Sequence, residues 1–130
     1  MIFLDTSAIY AWTDRGDPQH EVAKSRLKAI LADAETLVTH NYVLVEAMAL
    51  IQHRLGLAVA RAFAVDAAGF DIEWVDAALH SEALDRWKRG RRQWSLVDEV
   101  SFLVMRRRGI PKAFAFDPDF EREGFHVYGR

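Results

Sequence analysis

The sequence contains no cysteine, which excludes disulfide bonds and metal sites built on thiolates. It also lacks an uninterrupted apolar run near the roughly 18 residues that a membrane-spanning helix requires. Its first residues lack the basic flank and long apolar segment of a signal peptide. The formal net charge is only −2, so the overall charge does not indicate a polyanionic partner. We therefore expect a cytoplasmic protein that does not associate with membranes.

The chain does have enough apolar material for a packed core. Hydrophobic residues make up 51% of the sequence and charged residues 28%, which is typical of a folded globular protein. A length of 130 residues fits one domain. The sequence shows no internal repeat, no low-complexity tract and no linker. We therefore predict a single domain over residues 1–130.

Short apolar segments alternate with longer amphipathic ones. The predicted strands cover residues 1–4, 36–39, 71–75, 112–116 and 125–128. The predicted helices cover residues 8–12, 19–34, 42–54, 57–68, 76–88 and 95–108. This alternation predicts an α/β fold, with a central parallel sheet of four to five short strands and helices on both faces.

Two aspartates directly follow predicted strands. Asp5 follows the first strand and Asp117 follows the fourth. Ligand sites of open α/β sheets lie at the carboxyl ends of the strands, so these acids are candidates for one site. Each has a simpler explanation, because Asp5 suits a helix N-cap and Asp117 followed by Pro118 suits a turn. Asp119 is either a further ligand or part of that turn.

Glu46 is the only residue between positions 43 and 51 that is not apolar. We predict that Asn41 caps this helix and that the helix is largely buried. A buried, ionised carboxylate must be paired, bound to metal or neutralised. The alternative is a position at the edge of the helix, where Glu46 is solvated or bridged to an arginine.

Asp98 stands three residues after Ser95, which is the spacing of a capping box. A first-turn aspartate can cap the helix and still present an oxygen to a cation. If the four candidate acids share one edge of the sheet, their like charges require a cation at neutral pH. Ligation by oxygen alone favours Mg²⁺ or Mn²⁺, and the histidines form no zinc-binding pair.

Four passages together resemble a PIN domain, and within that superfamily a VapC-type toxin ribonuclease of bacterial toxin–antitoxin pairs. The passages are residues 2–7, 39–46, 95–102 and 113–120. The resemblance implies a PIN-like three-layer α/β/α sandwich. It maps the acidic quartet of the family, which is both catalytic and metal-binding, onto Asp5, Glu46, Asp98 and Asp117.

The chain departs from the family pattern at three positions. Val97 and Glu99 stand beside Asp98 where relatives often carry threonine and cysteine, and Ala115 stands where they often carry threonine. The missing hydroxyls would loosen the groups around the ligands. Glu99 adds an acid that points either into the site or out to solvent.

The resemblance implies a Mg²⁺- or Mn²⁺-dependent endoribonuclease that acts as the toxin of a toxin–antitoxin pair. We expect Asp5 and Asp98 to be direct ligands, with Glu46 and Asp117 completing the shell or acting through bound waters. The cation would orient and deprotonate water and neutralise charge on the scissile phosphate. The family also implies a small cognate antitoxin, and a homodimer or a heterotetramer or larger assembly with that antitoxin.

The basic segment 86–92 is the candidate for holding the RNA backbone. We predict that it forms a loop in which Arg89, Arg91 and Arg92 bind substrate and a flanking tryptophan stacks on a base. The alternative is a solvated loop with both tryptophans in the core, and helical spacing favours the core for Trp87. Residues 106–108 are a basic helix end that complements the helix dipole.

Thr6 and Ser7 are further candidates for substrate contact. Their hydroxyls or backbone N–H groups would reach a phosphate oxygen, although simple helix initiation explains both residues equally well.

Two other functions use similar residues. A PIN-like module that is catalytically weak and only binds RNA or protein is one alternative. A Mg²⁺-dependent phosphatase or receiver-like domain is the other, since it also places an aspartate at a strand end. That class usually carries a second acid beside the aspartate, which the segment Asp5–Ser7 lacks.

Overall fold

The computed structural model describes residues 1–130. The elements, in chain order, are β1 (Ile2–Leu4), α1 (Thr6–Thr13), α2 (His20–Ala32), β2 (Leu37–His40), α3 (Asn41–Leu55), α4 (Leu57–Ala67), β3 (Asp71–Glu73), α5 (Ala77–Arg89), α6 (Leu96–Arg108), β4 (Lys112–Phe114), α7 (Asp119–Arg122) and β5 (His126–Val127). None of the helices is both long enough and apolar enough to cross a bilayer.

The five strands form one parallel sheet in the order β3-β2-β1-β4-β5. Phe3 of β1 lies opposite Val38 of β2 and Ala113 of β4, so β1 is the central strand. All residues of β1 and β2 are buried, as expected for strands covered on both faces. The predicted α/β fold with four to five parallel strands is confirmed.

The strand order separates the helices into two layers. The chain runs from β1 to β2 to β3 in one direction, and then returns past β1 to β4. Because parallel crossovers are right-handed, helices before β3 lie on one face and those between β3 and β4 on the other. The packing agrees, since α1 contacts α2 and α3, α3 contacts α4, and α5 contacts α6. The fold is therefore the predicted three-layer sandwich.

The reversal of strand order lies between β1 and β4. Crevices at such switch points, beyond the carboxyl ends of the strands, are the usual ligand sites of open α/β sheets. Asp5 stands there, and its backbone N–H donates to the Phe114 carbonyl at 3.1 Å. The fold thus brings the chain segments after β1 and β4 to one crevice.

Two strands end earlier than predicted, because backbone N–H groups just beyond them donate to side-chain oxygens instead of to a neighbouring strand. β4 ends at Phe114 rather than 116, and the Phe116 N–H donates to Ser7 Oγ at 2.9 Å. β3 ends at Glu73 rather than 75, and the Val75 N–H donates to Asn41 Oδ1 at 2.7 Å.

The predicted cap of α3 is wrong by one residue. His40 is the N-cap, and its ring Nδ1 accepts from the Val43 N–H at 3.3 Å. The Asn41 side-chain oxygen already accepts from the Val75 N–H, just after β3, so it is not available to cap α3. The prediction that α3 is largely buried is also wrong. Val43 and Leu44 are buried, but the neighbouring Val45 is 67% exposed, because no element covers that side of the helix.

The basic segment is not a loop throughout. Arg86 to Arg89 form the last turn of α5, and only residues 90–95 connect α5 to α6. Trp87 is 43% exposed, so the preference for a core position is wrong. Its indole N–H donates to the Trp94 carbonyl at 3.0 Å, which holds the ring over the connection instead of in the core.

Phenylalanine side chains dominate the centre of the core. Phe3, Phe102, Phe114 and Phe120 are fully buried. The Phe102 ring meets Phe120 edge-on at 5.1 Å between centroids and stacks on Phe125 at 5.9 Å. These contacts join α6 to α7 and to the residue that directly precedes β5.

We expect the Phe102→Ala substitution to lower the free energy of unfolding by about 3–5 kcal/mol, since it leaves a cavity in this cluster. The measurement is urea unfolding followed by circular dichroism. The matched control is Trp74→Ala, because Trp74 is 68% exposed and its loss should cost less than about 0.5 kcal/mol. Equal losses in the two variants would show that Phe102 is not part of a packed core.

Candidate active site

Asp5 is the acid at the end of β1. It is 4% exposed, and it caps α1 by accepting from the Ser7 N–H at 3.1 Å. Burial, which outweighs the lowering effect of the Ser7 hydrogen bonds and is reinforced by the charges of Asp117 and Glu46, raises the pKa of Asp5 to about 6. Asp5 therefore both caps the helix and faces the other acids, so the two interpretations of this residue are compatible.

Asp98 lies in the first turn of α6. The predicted capping box is present, with Ser95 Oγ accepting from the Asp98 N–H at 3.1 Å and Asp98 Oδ2 accepting from the Ser95 N–H at 3.3 Å. Burial, together with the charges of Asp5 and Asp117, raises the pKa of Asp98 to about 7. The mutual effects on pKa place Asp5, Asp98 and Asp117 in one electrostatic site.

Asp117 lies on the connection from β4 to α7, and Asp119 is the first residue of α7. The Asp119 N–H donates to Asp117 Oδ1 at 2.9 Å, which is the turn that the sequence suggested. Carboxylate oxygens of Asp98, Asp117 and Asp119 also lie within 4.8 Å of one another. Asp119 is therefore part of this turn, its role as a further ligand stays a prediction, and it also pairs with Arg122 at 2.9 Å.

Glu46 is exposed on α3, so it is not the buried charge that the sequence suggested. It nevertheless lies close enough to Asp5 to raise the pKa of that carboxyl group. Glu46 and Asp5 are outside the group of three acids whose oxygens lie within 4.8 Å of one another. The structure therefore arranges the predicted quartet as a tight cluster around Asp98 and Asp117, with Asp5 and Glu46 beside it.

Ser7 connects the ends of β1 and β4. Its hydroxyl donates to Asp5 Oδ2 at 2.5 Å and accepts from the Phe116 N–H at 2.9 Å. Both Ser7 donors are therefore directed to Asp5, and Ser7 positions this carboxylate. Thr6 is buried at the start of α1, and its hydroxyl has no hydrogen-bond partner. Contact of either residue with a phosphate stays a prediction.

His40 links the helices that carry Glu46 and Asp98. Its Nε2 lies 2.9 Å from Ser101 Oγ on α6, and the Ser101 hydroxyl donates to the Val97 carbonyl at 3.0 Å. Because the Ser101 proton is directed to Val97, the ring Nε2–H must be the donor to Ser101, which leaves Nδ1 to accept from the Val43 N–H. Burial lowers the pKa of His40 to about 3, so the ring is neutral.

Glu99 points neither into the acidic site nor out to solvent. It is 4% exposed, and Oε1 accepts from the Trp94 indole N–H at 3.1 Å. Arg86 Nε lies 3.8 Å from its other oxygen. The Trp94 ring also packs edge-on against Phe102 at 5.0 Å. Glu99 therefore fixes the basic segment against the first turn of α6, beside Asp98.

The arginines of the basic segment line a cavity of about 460 Å³ next to the acidic site. Arg89, Arg91 and Arg92 are exposed there. Arg92 reaches the Arg122 carbonyl of α7 at 3.5 Å, and its guanidinium lies 5.6 Å from the Trp94 ring centre. The three arginines thus share a cavity with Glu99 of α6, and Arg92 also contacts α7.

This group of carboxylates fits a hard divalent cation. All the candidate donors are oxygens, and three of them lie within 4.8 Å of one another. Repulsion and burial hold the pKa values of Asp5 and Asp98 well above the ordinary range, and a bound cation would remove this cost. The donor set suits Mg²⁺ or Mn²⁺ better than zinc.

Two residues of the site have only weak signals in the sequence. The Asp117-x-Asp119 spacing is visible there, but only the fold shows that α7 turns the second acid toward Asp98. His40 belongs to no metal-binding motif. Its position between a buried strand and a helix is a signal for capping, which the neighbouring Asn41 obscured.

The chain is similar to known proteins over nearly its whole length. The family model described as PIN domain matches residues 2–125. Two relatives, from Mycobacterium tuberculosis strains CDC 1551 / Oshkosh and ATCC 25618 / H37Rv, are both named 23S rRNA-specific endonuclease VapC20. Each is 40% identical over 129 residues, which is 96% of this chain and 95% of the relative.

A solved structure also matches. It is the crystal structure of Mycobacterium tuberculosis VapC20, described as a sarcin–ricin loop cleaving toxin. The TM-score is 0.86 and the sequence identity 36%, with 96% of each chain covered.

The raised pKa of Asp98 generates a prediction for cation-free protein. A carboxyl group with a folded-state pKa of about 7 contributes stability that is fully present below its ordinary pKa of 3.8 and is lost as pH rises through 7. Asp98→Asn removes the titrating carboxyl group and therefore this pH-dependent loss of stability. The asparagine keeps a side-chain oxygen that can accept from the Ser95 N–H. We therefore expect the variant to melt at a higher temperature than the wild type at about pH 8, and at nearly the same temperature at about pH 4.

Thermal unfolding in EDTA across this pH range tests the prediction. Asp33→Asn is the control, because Asp33 is exposed and precedes β2, at the opposite edge of the sheet. Its melting temperature should not gain on the wild type as pH rises. An Asp98→Asn variant that is less stable than the wild type at pH 8 in EDTA would contradict the arrangement of the acids.

Proposed function

Since the chain belongs to the PIN-domain family and is a VapC-type endoribonuclease, we propose that its substrate is 23S ribosomal RNA and its cut falls in the sarcin–ricin loop. The similarity extends over 96% of the chain, so it includes every segment that forms the acidic site. The observation that carries the reaction is the cluster of Asp98, Asp117 and Asp119 at the sheet's switch point.

We propose that Asp98 and Asp117 hold a Mg²⁺ or Mn²⁺ ion together with Asp5, and that Glu46 completes the site from α3. When bound, the cation would activate water and neutralise negative charge on the scissile phosphodiester. Ser7 keeps the Asp5 carboxylate in place through its two hydrogen bonds. Because protons compete with the cation for Asp5 and Asp98, metal affinity should rise with pH through the range of about 6 to 7.

The basic segment would supply the electrostatic attraction for anionic RNA that the acidic site itself lacks. Arg89, Arg91 and Arg92 would contact RNA phosphates, which are strongly anionic. Trp94 and Glu99 hold this segment beside Asp98, so a phosphate backbone bound to the arginines would run past the acids. Trp87, exposed next to them, is available for stacking on a base.

We also propose the assembly of the protein. The VapC-type toxin has an antitoxin partner, and we propose a homodimer that forms a heterotetramer or larger complex with it. Trp12, Tyr42 and Leu55 are partly buried and pack against the core. Trp74 and Val65 are 68% and 75% exposed, and they are better candidates for an interface. A ribosomal substrate is consistent with action in the cytoplasm.

The two alternative functions are less well supported. The match to the PIN-domain family over residues 2–125 replaces the phosphatase or receiver-like alternative. Holding Asp98 and Asp117 close together raises the free energy of the folded protein, because their charges repel each other. A module without catalysis would have no need of this arrangement.

We expect Asp5→Asn and Asp98→Asn each to reduce cleavage at least about 10–100-fold, the loss that even outer-shell partners of metal ligands cause. Both variants keep a side-chain oxygen for capping, so the helices should remain intact. The measurement is cleavage of 23S ribosomal RNA, and of a stem–loop with the sarcin–ricin sequence, in Mg²⁺, Mn²⁺ or EDTA.

The control is Asp33→Asn at the opposite edge of the sheet, which should cleave like the wild type. Cleavage that persists in EDTA, or in an Asp5→Asn/Asp98→Asn double variant, would exclude the acidic metal site. Cleavage confined to other RNAs would retain the nuclease and exclude the proposed target.

The joint replacement of Arg89, Arg91 and Arg92 by alanine should weaken RNA binding and reduce its salt dependence. If each arginine neutralises one phosphate, the slope of log K against log salt should fall by about 2, as for single-stranded RNA. Binding is measured in an Asp98→Asn background, so that the RNA stays intact. Arg107→Ala is the control, since Arg107 pairs with Glu82 and lies at the far edge of the sheet. An unchanged slope in the triple variant would remove the basic segment from the interface.

A further inference from the structure

We propose that a cavity between α1, α3 and Phe116 binds one unstacked nucleobase of the RNA substrate, next to the scissile phosphate, and selects a base with an exocyclic amino group. This inference rests on the proposed function and assigns a specificity to the same site. The cavity measures about 270 Å³ and opens to solvent beside the acidic cluster.

The position of the cavity follows from the residues that line it. Thr6 and Ser7 directly follow Asp5 in the chain. Leu50 lies one helical turn after Glu46 on the same side of α3.

Phe116 also lines the cavity next to an acid of the site, because it directly precedes Asp117 in the chain. The walls of the cavity are thus sequence or helix neighbours of three different acids of the site. An RNA phosphate at those acids would place an adjoining base within reach of the cavity.

The walls suit a flat aromatic ring. Tyr10, Ala11, Leu50 and Phe116 contribute most of the apolar lining. The Tyr10 ring is buried and its hydroxyl donates to Asp14 at 2.7 Å, while the Phe116 backbone is held by Ser7. Tyr10 and the Phe116 backbone are thus held before any ligand binds, so stacking a base here costs little ordering of these two residues.

The rim provides a polar edge. Gln19 is exposed, and its side-chain amide can both donate and accept. Asp17 also lines the cavity, and its Oδ1 accepts from the Gln19 N–H at 2.8 Å, which fixes this corner.

A carboxylate at the rim disfavours a phosphate and favours a donor such as an exocyclic amino group. Adenine, cytosine and guanine have that group, and uracil has none. Apolar walls with a hydrogen-bonding edge are the usual receptor for a splayed-out base of single-stranded or loop RNA.

Nucleosides test the cavity without requiring catalysis. Adenosine, cytidine and uridine are titrated into cation-free, ¹⁵N-labelled protein and followed by NMR. Adenosine and cytidine should shift the Gln19 side-chain amide and the backbone amides of Ala11 and Leu50. Uridine should bind about threefold to tenfold more weakly, the effect of one lost hydrogen bond. Shifts confined to other surfaces, or equal binding of uridine, would overturn the proposal.

Filling the cavity is the second test. Leu50→Phe should abolish the nucleoside shifts and lower kcat/KM for RNA cleavage at least about tenfold, the effect of one or two lost contacts. The control is Val45→Phe, which adds similar bulk to the same helix at a position 67% exposed. It should leave both measurements unchanged.

Gln19→Ala, at an exposed position, provides the test if Leu50→Phe does not fold. It should weaken the binding of all three nucleosides, because the Gln19 amide can both donate and accept, and unchanged adenosine binding would overturn the proposal. If Leu50→Phe folds and cleaves RNA normally but no longer binds a protein partner, the cavity belongs to that partner and the proposal fails. A wild-type protein that binds adenosine and cleaves no RNA would refute the proposed function and leave the cavity assignment standing.

Discussion

Repulsion among carboxylates confined at the end of β1 and β4 is the constraint on which the site depends. The parallel sheet brings these strand ends together, and burial then removes the water that would screen the charges. The raised pKa values of Asp5 and Asp98 measure the resulting cost. Protons relieve it in the absence of a cation, and a divalent ion would relieve it more completely. The stability that the cation-free fold loses through this repulsion would be regained when a divalent cation binds, and this gain would favour metal binding.

The surrounding structure holds this arrangement by hydrogen bonds that use only one oxygen of each of these carboxylates. Ser7 joins β1 to β4 through Asp5 and Phe116. The capping box fixes Asp98 at the start of α6, and the turn after β4 fixes Asp119 next to Asp117. Each acid is therefore held by a local motif, and the sheet determines only how these motifs meet. Because each acid is held by its own motif, the sequence of the basic segment and of the neighbouring cavity can vary without moving the acids.

The sequence predicted the fold and the acidic candidates because both depend on local patterns. Strand and helix periods predicted the parallel sheet, and Asp5 and Asp98 stand at element boundaries that can be recognised from neighbouring residues. What failed depends on contacts between distant segments. Apolar composition did not reveal that one side of α3 has no covering element, and the end of β3 occupies Asn41, the expected cap. The orientation of Asp119 likewise requires the complete fold.

His40 has a consequence for how the enzyme responds to acidity. Its imidazole is shared between α3 and α6, and it remains uncharged down to a pH of about 3. Burial raises the pKa values of Asp5 and Asp98 only to about 6 and about 7. The hydrogen bond between the two helices is therefore insensitive to pH over the interval in which these two carboxyl groups titrate. Acidification through that interval would protonate both acids and leave the contact between α3 and α6 in place.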